Sequence, residues 1–429
     1  MSLQGPASLQ GPLVIVADRP APELSNALAK AGAFPVVDAT WDGAPAAIAK
    51  IEPAAVVLAD ADVSASTART TAALNKAIAA AGPVHMPVLE RCRPGALPAV
   101  AGALPIAAGA PVQRIIARLA VALRVRTLDL SVRRRAETLR TTGGEEVPDI
   151  SGRDPIEDAT VLVLGRGRAY PELCVAVGER VGLIGALSVE NAARHLNSRD
   201  VDGVVVGDGF GPRIVEAFLT LMAEDVRFRD LPVCAMTGTA GAIDNGNLPN
   251  LDIVSGTPTE IVARMLPLVR QHALAARLER VRIAIEAKGM IDPETGLFTV
   301  AAFLRDLQRA VADANERGGG LSIARFSFDP TIDRRTSLDA ARLASRLVRS
   351  ADFACQASDG SILMVFSETA LRGAHVVARR IASVLKHTML TAGREGHVDP
   401  SITLATLKDS DTVESLVARV NETAIAAAG

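Results

Sequence analysis

Short runs of consecutive apolar residues alternate with amphipathic stretches over the first two thirds of the chain. LVIVAD (Leu13 to Asp18) precedes PELSNALAKAG, FPVVDA precedes GAPAAIAKI, and AAVVLADAD leads to a long helical stretch. A strand around PVHMPVLE and a helix PVQRIIARLAVALRV complete the series. Strands apolar on both faces and separated by helices predict a parallel sheet covered on both sides. The pattern then repeats in ATVLVLGRG, YPELCVAVGERVG, LIGALS, VENAARHLNSRD, VDGVVVGDG, PRIVEAFLTLMAEDV, LPVCAMTG and TEIVARMLPLVRQH. Length, order and spacing match the first series.

Between the two, SVRRRAETLRTTGGEEVPDISGRDPIED mixes charge with Gly and Pro and reads as a linker. After the second, Leu274, Leu278, Val281 and Ile285 recur at helical spacing with charges between them, which predicts a stalk helix. The last third interleaves helices with the strand LSIARFSF, a hairpin FACQ/SILMVF and the strand SITLATL, an antiparallel-centred α+β pattern. The expected organisation is a lead over residues 1–11, a parallel α/β domain over 12–141, a linker over 142–158 and a second parallel domain over 159–272. The stalk then covers 273–290 and the α+β domain 291–429.

Composition narrows the possibilities. A chain of 429 residues, 49% of them hydrophobic, can bury several cores. A net charge of −2 with acids and bases interspersed argues against a nucleic-acid footprint or a polybasic membrane surface. Cys92, Cys174, Cys234 and Cys355 are widely separated, with no CxxC pair and no His at ligand spacing, so neither zinc nor a disulfide framework is indicated. The lead MSLQGPASLQGP has no basic region or apolar core and is expected to be disordered rather than a signal peptide. The most apolar window, Gly95 to Val112, is interrupted by Pro98, Pro105 and Pro111, so no membrane span is expected and a cytoplasmic location follows.

DPETGLFTVAAF, from Asp292 to Phe303, resembles the DxLTGLxNRRxF opening of GGDEF domains, the diguanylate cyclase family that condenses two GTP into cyclic di-GMP. With two receiver-like (flavodoxin-like) units ahead of it, the chain resembles tandem-receiver GGDEF response regulators of the PleD and PopA type, which belong to two-component signalling. The hairpin RSADFACQASDGSILMVFSET (Arg349 to Thr369) falls where that family carries its GG(D/E)EF turn, and the five positions are here Ser358, Asp359, Gly360, Ser361 and Ile362. In the family a carboxylate at the third position and an Asp on the preceding strand hold Mg²⁺. Here those positions are Gly360 and Arg325, and the guanine-reading segment is shortened to FDPTIDRRTSLDAARL with Asp333 as a doubtful counterpart. The resemblance therefore implies a degenerate domain without cyclase activity and without a required cofactor.

The family's inhibitory site for cyclic di-GMP is an RxxD five residues before the signature, and Arg349 and Asp352 stand in that register, with Arg380 matching a further ligand on the following helix. Guanidinium groups fork onto phosphates and guanine O6 and N7, and a carboxylate accepts from guanine N1 and N2. RxxD also begins at Arg126, Arg199 and Arg227, so only the register against the hairpin is informative. A reading in which Arg349, Asp352 and Arg380 are ordinary charges at a helix end and on a solvated helix face stands beside it.

The resemblance places the phospho-acceptor positions at Asp60, or Ala59 with a one-residue slip, and at Asp208. Asp18 can represent the acidic pair in the first unit, but LPIAAGAP has no Lys; in the second, Thr237 fits the hydroxyl while GRGR replaces the acids and Gly256 or Thr257 the Lys. Both units are expected to be docking or dimerisation modules rather than phosphosites, and a homodimer through the receivers' 4-5-5 face is anticipated. The leading expectation is a non-catalytic cyclic di-GMP receptor or adaptor that relays binding by protein docking, placed by resemblance at the cell pole. A nucleotide-independent dimerising scaffold is the second, and a cyclase with residual activity the third.

Overall fold

The computed structural model describes residues 9, 11–60, 67–93, 95–143, 153–237, 248–317, 320–348, 352–367, 369, 371–388, 398–408 and 411–427. The chain divides into two compact units. Residues 1–133 and 153–278 form the first, and 134–152 with 279–429 form the second. Both parallel sheets thus fall in a single unit.

The first sheet comes from β1 (Leu13–Val16), α1 (Pro22–Lys30), β2 (Val36–Ala39), α2 (Ala44–Ile51), β3 (Ala55–Leu58), α3 (Thr67–Ala80), β4 (Val88–Cys92), β5 (Leu104–Ala107) and α4 (Val112–Gly143). Its strand order is β2-β1-β3-β4-β5, all parallel. The second is built from β6 (Thr160–Leu164), α5 (Tyr170–Gly178), β7 (Gly182–Ala186), α6 (Val189–Ser198), β8 (Gly203–Val206), α7 (Pro212–Glu224), β9 (Val233–Met236), β10 (Leu251–Val254) and α8 (Pro258–Glu286). Its order, β10-β9-β8-β6-β7, is the same winding read from the other edge. This is the flavodoxin-like doubly wound order.

The sequence explains the positions of these strands. The central strands LVIV, AVVL, TVLVL and GVVV are buried at every residue, as a sheet covered on both faces requires, whereas the edge strand VVDA is half exposed. Each sheet accordingly carries an apolar cluster on both faces, one pair around Leu13 and Val14, the other around Leu162 and Val163. Among the described residues neither half has a helix between its fourth and fifth strands.

Three expectations need correction. The lead is not wholly free: Leu9 is fully buried in the first core, and its N–H donates to the Ala31 carbonyl at 2.8 Å. SVRRRAETLR is not linker, because α4 runs through it to Gly143; Arg, Ala, Glu and Leu are good helix formers whatever their charge. The stalk is not a separate element. It is the end of α8, which continues from Pro258 to Glu286 through Pro267.

The second unit holds α9 (Val300–Arg317), β11 (Ser322–Ser327), α10 (Arg334–Leu347), β12 (Phe353–Gln356), β13 (Ile362–Phe366), α11 (Leu371–His387), β14 (Ser401–Thr406) and α12 (Val413–Ala427). Its sheet is antiparallel throughout, in the order β12-β13-β11-β14. The helices cover both faces. Ala340, Ala344, Ala378 and Ile381 of α10 and α11 pack on one, and Phe303, Leu307, Leu416 and Val420 of α9 and α12 on the other. Among the described residues no helix is long and apolar enough to cross a membrane.

Candidate functional site

The segment DPETGLF folds as a self-contained turn that leads onto the antiparallel sheet. The Asp292 carboxylate accepts from the Glu294 N–H at 2.8 Å and the Thr295 hydroxyl at 3.1 Å, while the Gly296 N–H reaches the Asp292 carbonyl at 2.8 Å. Gly296 has φ +74°, a left-handed conformation that side chains disfavour. The Phe298 N–H then donates to the Ala354 carbonyl at 2.8 Å, fastening this turn to β12.

In the hairpin Phe353 stands opposite Val365 and Gln356 opposite Ile362. The Ala357 N–H donates to the Ser361 carbonyl at 2.8 Å and the Gly360 N–H to the Ala357 carbonyl at 2.9 Å, with Gly360 at φ +81°. The Asp359 carboxylate accepts from the Ser361 N–H at 3.1 Å and the Ser361 hydroxyl at 2.6 Å. It also receives the Arg325 guanidinium, which reaches across from β11 and donates as well to Asn421 Oδ1. Burial works against charge on Asp359, but the Ser361 donors and the Arg325 cation outweigh it and hold the carboxyl below the usual carboxylate range.

At the two positions where the resembled family holds a divalent metal this chain has Gly360 and Arg325, and the Arg325 guanidinium pairs with Asp359, the residue before Gly360. The Arg325 side chain is 17% exposed and the Asp359 side chain 53%. A guanidinium in place of one carboxylate repels a divalent cation, Gly360 supplies no other, and the neighbouring Asp359 carboxylate is already engaged, so the donor set does not fit Mg²⁺. Asp333, the doubtful base-reading counterpart, is instead the N-cap of α10: its carboxylate accepts from the Thr336 N–H at 2.8 Å and the Thr336 hydroxyl at 2.9 Å.

At the opposite end of the hairpin, half-buried Asp352 accepts from the Ser367 N–H at 3.1 Å and ties the two strand ends together. Arg349 lies outside the described residues. Arg380 is exposed on α11, whose inner face carries Ala374, Ala378, Ile381 and Leu385, and among the described residues it makes no hydrogen bond or ion pair. Arg372 and Arg379 share its exposed side of the chain, and α11 contains no acidic residue. Among the described residues no hydrogen bond or ion pair joins Asp352 to Arg380.

The two acceptor positions differ. The Asp60 carboxylate accepts from the Asp18 N–H at 2.5 Å and from the Trp41 indole N–H at 3.3 Å, so it braces the end of β1. Asp208 is roofed over. The GRGR loop folds across it, with the N–H groups of Arg166 and Gly167 on the Asp208 carbonyl at 3.2 and 3.0 Å and the Ala169 N–H on its carboxylate at 3.2 Å. A Cβ on Gly167 would overlap that carboxylate, which is why glycine stands there. Arg166 lies over the Phe210 ring, 4.8 Å from its centroid, and donates to the Gly209 carbonyl at 3.0 Å. Thr237 is exposed, and its N–H is taken by the Val254 carbonyl at 2.7 Å.

One cluster escaped the sequence reading. Arg118 of α4 is fully buried, and its guanidinium donates to the Pro249 carbonyl at 2.9 Å, the Leu251 carbonyl at 3.1 Å, Asp252 Oδ1 at 3.0 Å and the Pro105 carbonyl. Arg264 of α8 donates to the Ala96 carbonyl at 2.8 Å and lies 3.5 Å from Asp252 Oδ2. Each arginine thus reaches the loop between fourth and fifth strands of the other half. A signal was available: IIARL (Ile115–Leu119) and IVARM (Ile261–Met265) are one repeated pattern, with Arg118 and Arg264 in matching places. Asp252 in LDIV has Pro105 as its counterpart in LPIA, so two equivalent arginines share one carboxylate. Leu268 of α8 completes the seam by packing into the first half's core. The face on which pairing between chains was anticipated joins the two halves of one chain.

No protein-family profile matches the chain, and no curated protein matches it. Among solved structures it is similar to the coiled coil and GGDEF domain of DgcB from Caulobacter crescentus in complex with c-di-GMP. Identity is 22%, with 36% of this chain and 89% of that one covered and a TM-score of 0.31. The FimX GGDEF domain from Pseudomonas aeruginosa shows 19% identity over 32% of this chain and 93% of that one, with a TM-score of 0.30. A 2-hydroxyacid dehydrogenase from Ketogulonicigenium vulgare shows 14% identity over 65% of this chain and 95% of that one, with a TM-score of 0.17.

Proposed function

We propose that the antiparallel unit is a GGDEF-type domain that has lost its catalytic chemistry and serves as a cyclic di-GMP receptor, carried behind two receiver-like modules of a response regulator. The observation that carries the catalytic half of this reading is Arg325, which puts a cation paired with Asp359 at one metal position, while Gly360 leaves the other without a carboxylate. Phosphoryl transfer depends on metal ions to neutralise developing charge, and this donor set supplies none. Support for binding comes from the outer face of α11, where Arg372, Arg379 and Arg380 are exposed with no carboxylate on the helix to neutralise them. Arginine forks suit a dinucleotide's phosphates and guanine edges. Asp352, with Arg349 three residues before it, supplies the acceptor and a further guanidinium.

The test is calorimetric titration of the full chain with cyclic di-GMP, beside Arg380→Ala and Arg349→Ala, and a parallel incubation with GTP and Mg²⁺ analysed for product. Saturable heat that either substitution removes, with no product formed, supports the receptor. Absence of heat in the wild type removes it, and product formation would overturn the reading of Arg325.

A second reading, a scaffold indifferent to nucleotide, is favoured by the Arg118–Asp252–Arg264 seam, which devotes the paired faces to holding the chain's own halves together. It expects light scattering and thermal unfolding unchanged by cyclic di-GMP.

A further inference from the structure

Further along α4 and α8 than Arg118 and Arg264, residues of both helices line a cavity of 270 Å³. Val121, Val125, Leu268 and Ala275 contribute apolar wall. Of the polar side chains that line it, two amides are more than nine-tenths buried: Asn250 is 4% exposed and Gln271 6%. The Asn250 amide donates through Nδ2 to the Asp230 carbonyl at 2.7 Å, which fixes its orientation and leaves Oδ1 without a donor. Gln271 Oε1 is likewise buried without a partner. Buried acceptors without donors are uncommon and costly in folded proteins, so two on one cavity mark a place where donors are to be supplied.

Charge at this cavity is balanced. Arg124 is held by Asp230 at 2.6 Å and Arg227 by Asp225 at 2.7 Å, while His272 Nδ1 lies 3.1 Å from Asp202 Oδ1. The opening therefore has no net cationic character to select an anion. What it offers is an apolar slot with two acceptors; of the two arginines in its lining, Arg227 already lies over the Phe228 ring, 4.8 Å from its centroid. A volume of 270 Å³ lies at the small end of ligand sites, below the ~300–1,000 Å³ typical of larger molecules.

We propose that this cavity binds a neutral nitrogen heterocycle of nucleobase-to-nucleoside size, whose N–H groups donate to Asn250 Oδ1 and Gln271 Oε1. Its walls come from both halves of the parallel unit, so the ligand holds the halves together and strengthens the seam beside it. The inference is independent of cyclic di-GMP binding in the other unit.

The experiment uses the full chain with adenosine, guanosine, cytidine and uridine in turn, followed by ligand-observed NMR and titration, with N-methylated forms of each as controls. At least one nucleoside is expected to bind saturably, about tenfold more weakly once its donors are methylated and about tenfold more weakly to Gln271→Leu, a change that keeps the side chain's size. Ala275→Trp, which fills the cavity, is expected to abolish binding. Should that variant fail to fold, Gln271→Leu with the methylated controls decides the matter. If none of the four binds, or if binding survives Gln271→Leu undiminished, the cavity holds solvent alone and the proposal falls.

Discussion

Replacing Arg118 with Met tests whether the two parallel halves depend on their shared arginine seam. The substitution keeps a long apolar stem but removes a guanidinium that is fully buried. The Leu251 carbonyl retains Arg114 as a donor at 2.9 Å, and Asp252 retains Arg264 at 3.5 Å. The carbonyls of Pro105 and Pro249 lose the Arg118 donor they share, at about 1–3 kcal/mol each, and Asp252 loses its closer cation. The sum agrees with the ~3–5 kcal/mol measured when a buried pair is broken from one side. Arg264→Met should cost less, because Arg264 makes one short carbonyl bond and a longer approach to the carboxylate. Trp41, the single tryptophan, is 6% exposed in the first half's core and reports that half by fluorescence during urea unfolding. The expected result is a fluorescence midpoint moved to lower urea, and separated from the transition seen by far-UV circular dichroism. A loss below ~1 kcal/mol, with both probes still coincident, would refute the claim that this cluster joins the halves.

Arg325→Leu should lower the stability of the antiparallel unit by no more than ~1 kcal/mol in thermal unfolding, since Asp359 is largely exposed and screened by solvent; a large loss would mean the pair does more than close the turn. Because the Asp359 carboxyl is depressed in the folded chain, its contribution is present above the unfolded carboxylate value and is lost as pH falls through the lower folded one. In Arg325→Leu that acid-side loss should shrink. Burial, with help from Arg199 and Arg194, pushes His195 down to about 4 from 6.5, so the unfolded chain binds a proton that the folded chain refuses. Stability should therefore fall as pH drops from 6.5 towards 4, and His195→Gln should flatten the unfolding midpoint over that window. Incubation with a small phosphoryl donor should leave Asp208 unmodified in peptide mass spectrometry, because the Gly167–Ala169 backbone roofs it, and a phosphoryl adduct on Asp208 would contradict that geometry.

Much of this architecture was legible in the pattern of apolar residues. LVIV, AVVL, TVLVL and GVVV read as strands buried on two faces, and their alternation with helices implied a parallel sheet covered on both sides, whereas the flavodoxin-like strand order was implied only by the resemblance to receivers. The hairpin was equally plain, since FACQ and ILMVF flank a turn with glycine at its left-handed position. Charge misled at α4: SVRRRAETLR looks like linker by polarity, yet its helix propensity is high, and propensity prevailed. The seam was hidden for another reason. A buried Arg is rare, and the sequence gives no sign that its partners are carbonyls from a loop more than a hundred residues away, as Pro249 is from Arg118. Only the repeat of IIARL as IVARM pointed to it.

That repeat has a bearing on how the protein responds to its own abundance. Two chains that pair through such a face form and separate according to concentration, so dilution or degradation switches them. Here the partners are tethered, and a tether of this kind sustains an effective concentration on the order of millimolar however few molecules are present. The association of the two halves is consequently blind to expression level. A lone copy in a cell is paired as fully as one among thousands, which leaves chemistry within the chain as the means of loosening the contact.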